Sequence, residues 1–147
     1  TQDLADVYHL LSLLESDAAG VVATKATDAE LAELQKLHKA LEAAAKPEKT
    51  GKAQKPPKPD TDQFFALNEQ FHMRLLAIAN NRWRDQMVAD LRKVMKLNRH
   101  NSLLKSGRIQ ESLAEHRAVM AALEQRDAAG AMARMQAHFA SGLEAAV

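Results

Sequence analysis

The chain has no cysteine among its 147 residues, which excludes disulfide scaffolds and all thiolate chemistry and suits a reducing compartment. Glycine and proline total nine, too few for collagen-like or low-complexity sequence. Aromatic residues are only 4%, so a core has to be built mostly from Leu, Ala and Met. No run of 18 apolar residues exists, so no segment qualifies as a membrane span. No stretch alternates apolar and polar residues for long, which argues against a sheet. The chain opens Thr1-Gln2-Asp3 without Met or a signal-like apolar region, which reads as a fragment or processed product rather than a complete gene product, and the expected location is cytoplasmic.

Against these absences stand 46% hydrophobic and 27% charged residues, enough to build one core and too apolar for disorder. The net charge of +1 hides an asymmetry. Residues 46–59 hold five lysines, all four prolines and a single acid, Glu48, so this segment carries +4 and the remainder −3. A basic nucleic-acid surface is therefore not a property of the folded part, and the segment reads as a solvated, extended linker.

Elsewhere the periodicity is helical, and residues 1–147 read as a single all-α domain, an antiparallel bundle of about six helices. A first helix from about Asp3 to Ala23 carries Leu4, Val7, Leu11, Leu14, Ala18 and Val21 as its stripe. Thr27-Asp28-Ala29-Glu30 has the form of a capping box and opens a second helix. Asp60, Thr61 or Asp62 caps a third, closed by Asn80-Asn81, and a fourth runs from about Arg82 to Leu104 with Met87, Leu91, Val94 and Met95 inward. Ser106-Gly107 precedes a fifth, and Asp127 caps a sixth with Met132, Met135, Phe139 and Leu143 inward. The connections are short apart from the Lys/Pro-rich segment, which predicts that sequential helices pack as antiparallel neighbours.

Three of the six histidines interrupt apolar stripes. His72 follows Asn68 by one helical turn on the third helix, so both project from one face. His116 takes a slot in the series Ile109, Leu113, Met120, Leu123, and His138 lies beside Phe139 on the sixth helix. His116 and His138 are each eleven residues from Asp127, the turn of the last hairpin. At a rise of ~1.5 Å per residue both fall about 16 Å from that turn, at one level of the bundle. Inward imidazoles at one depth, with Asn68 as an oxygen donor, form a candidate site for a divalent metal, zinc or nickel above all. The ordinary alternative is three hydrogen-bonded core histidines. His9 and His100 read as solvated or capping residues, and His38 as a buried, hydrogen-bonded one.

The stretch Phe71-His72-Met73-Arg74-Leu75-Leu76-Ala77-Ile78-Ala79-Asn80-Asn81 resembles the FHxxLxxAxxN signature of the FadR C-terminal domain (FCD) of GntR-type bacterial transcription regulators. Glu111 to Leu123 is similar to that family's SLxEHRAIxxAL segment, and Arg126-Asp127-Ala128 through Met135-Gln136-Ala137-His138 to its RDAxxA…MxxH ending. Ala26 to Leu31 is similar to its ATDEEL helix start. The resemblance implies an effector-sensing, homodimerising domain rather than an enzyme. It implies a metal on His72, His116 and His138, a small organic acid as effector, and DNA bound only through an N-terminal winged-helix domain outside these residues. Two positions depart from the pattern. The family's acidic ligand is Asn68 here, and Leu11 replaces the Arg of its RxxLE motif while Leu14 and Glu15 are kept. Arg92 and Arg99 on the fourth helix are the substitutes for that Arg, with surface exposure as the ordinary fate of both.

Two other readings compete. Glu69-Gln70-Phe71-His72 has the ExxH form of di-iron bundles, but Leu113 and Met135 stand where a second such Glu is required. A hydrolytic metal site lacks an evident inward acid as general base, Asp90 being an outside candidate. A metal-free dimerisation module is the remaining alternative.

Overall fold

A computed structural model describes the backbone of residues 2–46, 61–105 and 107–147, and the side chains of all of these except 98–104. The described residues form six helices and no strand: α1 (Gln2–Lys25), α2 (Asp28–Ala45), α3 (Thr61–Ala79), α4 (Arg82–Leu104), α5 (Arg108–Glu124) and α6 (Ala128–Ala146). None of them is long and apolar enough to cross a membrane. The Lys/Pro-rich segment beyond Lys46 and the side chains of Arg99 and His100 lie outside the described residues.

Local chemistry sets the helix ends. Thr27 accepts from Glu30 N, and Thr27 N donates to the Glu30 carboxylate, completing the capping box that starts α2. Asn80 closes α3 in the left-handed region at φ 59°, and Asn81 Oδ1 then accepts from the backbone N–H groups of Trp83 and Arg84. Gly107, at φ 78°, makes the break before α5 that a side chain would strain. Asp127 Oδ1 caps α6 through Gly130 N.

α1 is the central helix and packs on α3, α4, α5 and α6. Its small residues permit this: a Cβ on Gly20 would stand 2.8 Å from Met132 Sδ of α6. The expectation that helices joined by short connections pack together holds for α3 with α4, α4 with α5 and α5 with α6, and α2 packs on α3 across the longer Lys/Pro segment. It fails for α1 and α2, because four other helices already surround α1 and α2 packs on α3 and α5 instead.

Two expected stripes are also corrected. On α1 the buried row is Leu4, Tyr8, Leu11, Glu15, Ala18 and Val22, while Val7, Leu14 and Val21 are only partly buried at its edge. On α4 the inward residues are Arg84, Val88, Arg92 and Met95, whereas Met87 and Val94 face outward. The inward face of α4 is held by ion pairs rather than by apolar contact alone.

Candidate metal centre

His72 of α3, His116 of α5 and His138 of α6 converge, each offering a ring nitrogen within 4.8 Å of the others. The ring centroids of His116 lie 5.1 Å from His72 and 4.8 Å from His138, and those of His72 and His138 are 5.5 Å apart. The equal spacing of His116 and His138 about Asp127 thus does bring them to one level. Asn68 is buried one turn before His72, and its Oδ1 accepts no hydrogen bond. Neither ring nitrogen of His116 has a hydrogen-bond partner. Buried polar atoms left in this state cost about 1–3 kcal/mol each, a cost that a bound partner at this position would relieve.

Two imidazoles are oriented by carboxylates. His72 Nδ1 donates to Glu15 Oε1 at 2.6 Å, and Glu15 Oε2 accepts from the Arg92 guanidinium at 2.8 Å. Arg92 also donates to Glu69 Oε1 at 2.9 Å, so one guanidinium ties α4 to α1 and α3. His138 Nδ1 donates to Glu115 Oε1 at 2.6 Å, and Glu115 is in turn held by both terminal nitrogens of Arg108 at 2.9 and 3.0 Å. Each relay therefore runs from arginine to glutamate to histidine. Fixing the proton on Nδ1 leaves ligation to Nε2 and makes the ring a better donor.

The relays shape the electrostatics. Burial raises the Glu15 carboxyl above the usual carboxylate range, with Arg92 opposing it. Burial alone would raise Glu115 too, but hydrogen bonds from His138 and Arg108 outweigh it and hold that carboxyl below the usual range. His116 lies well below the usual histidine range because it is buried, and the charges of His138, His72, His38 and Arg92 push the same way. It is the neutral imidazole that a metal requires.

A pH dependence follows. In metal-free protein the unfolded chain protonates His116 near 6.5 while the folded chain does so only at lower pH. Below about pH 6.5 the unfolded state holds the extra proton, so stability falls as pH drops, by up to about 1.4 kcal/mol per pH unit for one proton. Burial lowers His38 as well, in the same direction. Urea midpoints measured at pH 7.5, 6.5 and 5.5 in chelator should decline, and His116→Gln should flatten the decline.

Beside the histidines lies a cavity of about 50 Å³, lined by Asn68, His72, His138, Arg92, Arg108 and Tyr8 among others. Arg92 was expected at the surface and is instead buried, because Glu15 and Glu69 neutralise it. The inward acids that the sequence did not reveal are Glu15 and Glu115. Glu15 occupies a buried position on α1, and its pairing with His72 spans 57 residues of sequence. Only the kept Leu14-Glu15 pair hinted at it. Asp90 is exposed and pairs with Lys93, away from the cluster. Glu69 is bonded to Arg92 rather than turned to the histidines. His38 is buried, 2.9 Å from Glu42 Oε1, with its ring 6.3 Å from that of His116.

The FCD domain family model matches residues 6–141 of the chain. Among solved structures, Streptococcus agalactiae GntR shares the fold at a TM-score of 0.75 and 24% identity. That likeness covers 97% of this chain and 58% of the other, so the chain spans little more than half of its length. No curated protein matches the chain.

Proposed function

Starting from a chain that belongs to the FCD domain family, as the match over residues 6–141 establishes, we propose that it is a non-enzymatic effector-sensing domain of a cytoplasmic GntR-type transcription regulator. It acts as a homodimer that binds a divalent metal and a small organic acid and controls DNA binding by a separate N-terminal domain. The observation that carries the reading is the convergence of His72, His116 and His138 within 4.8 Å, inside the bundle.

The residues fit a metal. Three imidazole nitrogens and the Asn68 amide oxygen make a neutral N₃O donor set suited to zinc or nickel. The negative charge sits one bond further out, on Glu15 and Glu115, which partly offsets the loss of the family's acidic ligand at Asn68. When bound, the metal would supply the positive charge that draws in an acidic effector. Charge from the protein is already committed, since Arg92 is bonded to Glu15 and Glu69, and Arg108 to Glu115. Arg92 therefore serves better as a brace for Glu15 than as a direct effector ligand.

The chain's own residues account for the coupling. His72 belongs to α3 and the other two histidines to the last hairpin, so shared ligation ties these elements together. A cavity of about 50 Å³ accepts a carboxylate head and little more. A larger metabolite has to spread the helices, which gives it different affinities for two arrangements of the bundle.

The test is metal analysis of protein purified without a nickel column, together with binding of small hydroxy- and dicarboxylic acids by calorimetry. Wild type should carry close to one metal per chain and His116→Ala should carry almost none. Acid binding should vanish in chelator. Equal, trace metal in both proteins would defeat the metal reading and favour a plain dimerisation module.

A further inference from the structure

His116 is the one histidine of the cluster with no carboxylate behind it. The Arg92–Glu15 pair holds His72 and the Arg108–Glu115 pair holds His138, while both ring nitrogens of His116 are buried without a hydrogen-bond partner. A third pair of the same kind stands beside it, across α2 and α5. Arg117 Nε donates to Glu42 Oε1 at 2.9 Å, and the same oxygen lies 2.9 Å from His38 Nε2. The rings of His38 and His116 are nearly parallel, 23° apart in plane, with centroids separated by 6.3 Å. His38 Nδ1 is buried and, like the His116 nitrogens, accepts and donates nothing.

Packing does not account for a histidine at this position. The buried row of α2 includes Leu31, Leu34, His38, Leu41 and Ala45, so a leucine would fill the slot without stranding a polar atom.

We infer that His38 is the positioning residue for His116, accepting through one water the proton on the His116 nitrogen that is not offered to the cluster. Donors and acceptors match along the whole chain of groups. Burial disfavours the charged form of both rings, and a neutral imidazole has one N–H and one bare nitrogen. The Glu42 carboxylate favours the His38 proton on Nε2, which leaves Nδ1 bare. A metal needs a bare nitrogen on His116, which puts the proton of that ring on its other nitrogen. One N–H is thus answered by one lone pair. Centroids 6.3 Å apart are too distant for a direct bond, whose heavy atoms stand about 3 Å apart, so one water makes the link. With this arm, each of the three imidazoles ends an arginine–glutamate chain, and α2, which carries no ligand, is joined to the site.

This inference rests on the metal site of the proposed function and adds the residue that orients its third imidazole. Wild type is compared with His38→Leu and with His38→Asn, whose Oδ1 takes roughly the place of the lost Nδ1. Zinc affinity, measured by competition with a chromophoric chelator, should fall about tenfold or more in His38→Leu and by no more than about threefold in His38→Asn. Urea midpoints in chelator should be no lower for His38→Leu than for wild type, because leucine suits the slot. In the same metal-free proteins, imidazole nitrogen NMR should show one tautomer of His116 in wild type and a mixture in His38→Leu. An unchanged tautomer in His38→Leu would overturn the inference. So would zinc binding by wild type that His38→Leu matches within about twofold. A fall in affinity matched by an equal fall in urea stability would overturn it as well, since His38 would then be a packing residue. Control of the tautomer by His38 in a wild type that binds no zinc would keep the bridge and remove only the metal reading.

Discussion

Arg92→Met should destabilise the domain by about 3–5 kcal/mol, the usual cost of stripping one partner from a buried ion pair. Arg92 is 2% exposed and Glu15 is fully buried, so the variant would leave Glu15 in an apolar interior with the His72 hydrogen bond and no guanidinium, where staying charged or taking up a proton both cost stability. Domains of this size hold about 5–15 kcal/mol in total, so the loss is a large share of the fold's stability. Urea denaturation checks it. The double variant Glu15→Gln/Arg92→Met should recover part of the loss, because an amide can still accept from His72 and carries no charge to desolvate. A cost for Arg92→Met under about 1 kcal/mol would show that the relay does not hold α1, α3 and α4 together.

Zinc should raise the melting temperature by on the order of 10 °C when present at about a thousand times its dissociation constant. That figure combines about 4 kcal/mol of linkage with the few degrees per kcal/mol expected at this chain length. Scanning fluorimetry in chelator and in zinc measures the shift. His116→Ala should abolish it, since one of three converging imidazoles is then lost. Glu115→Gln should leave a smaller shift, because His138 keeps a hydrogen-bond acceptor but loses the carboxylate that makes it a strong donor. Identical melting in chelator and in zinc would leave the histidines as core residues.

Much of the fold was legible because helices announce themselves locally. Six apolar periodicities, the Thr27–Glu30 capping box, Asn80-Asn81, Gly107 and Asp127 placed the helices and most of their ends within a few residues. The meeting of His116 with His138 was legible for a related reason, since a hairpin's two arms share one rise per residue. The face of α4 was misread because an apolar stripe looks the same in sequence whether it meets the core or, like Met87 and Val94, faces outward. Arg92 looked like a surface residue because nothing local reveals Glu15 and Glu69 waiting across the bundle.

The residue order alone determined an all-helical chain, its breaks, and three histidines set among apolar neighbours. Only the tertiary structure decided that α1 sits at the centre, that Glu15 and Glu115 grip two of those histidines, and that Met87 and Val94 face outward. The reason is range. Backbone hydrogen bonding and side-chain periodicity act over three or four residues, whereas the pairings of Glu15 with His72 and Arg92 join positions 57 and 77 residues apart.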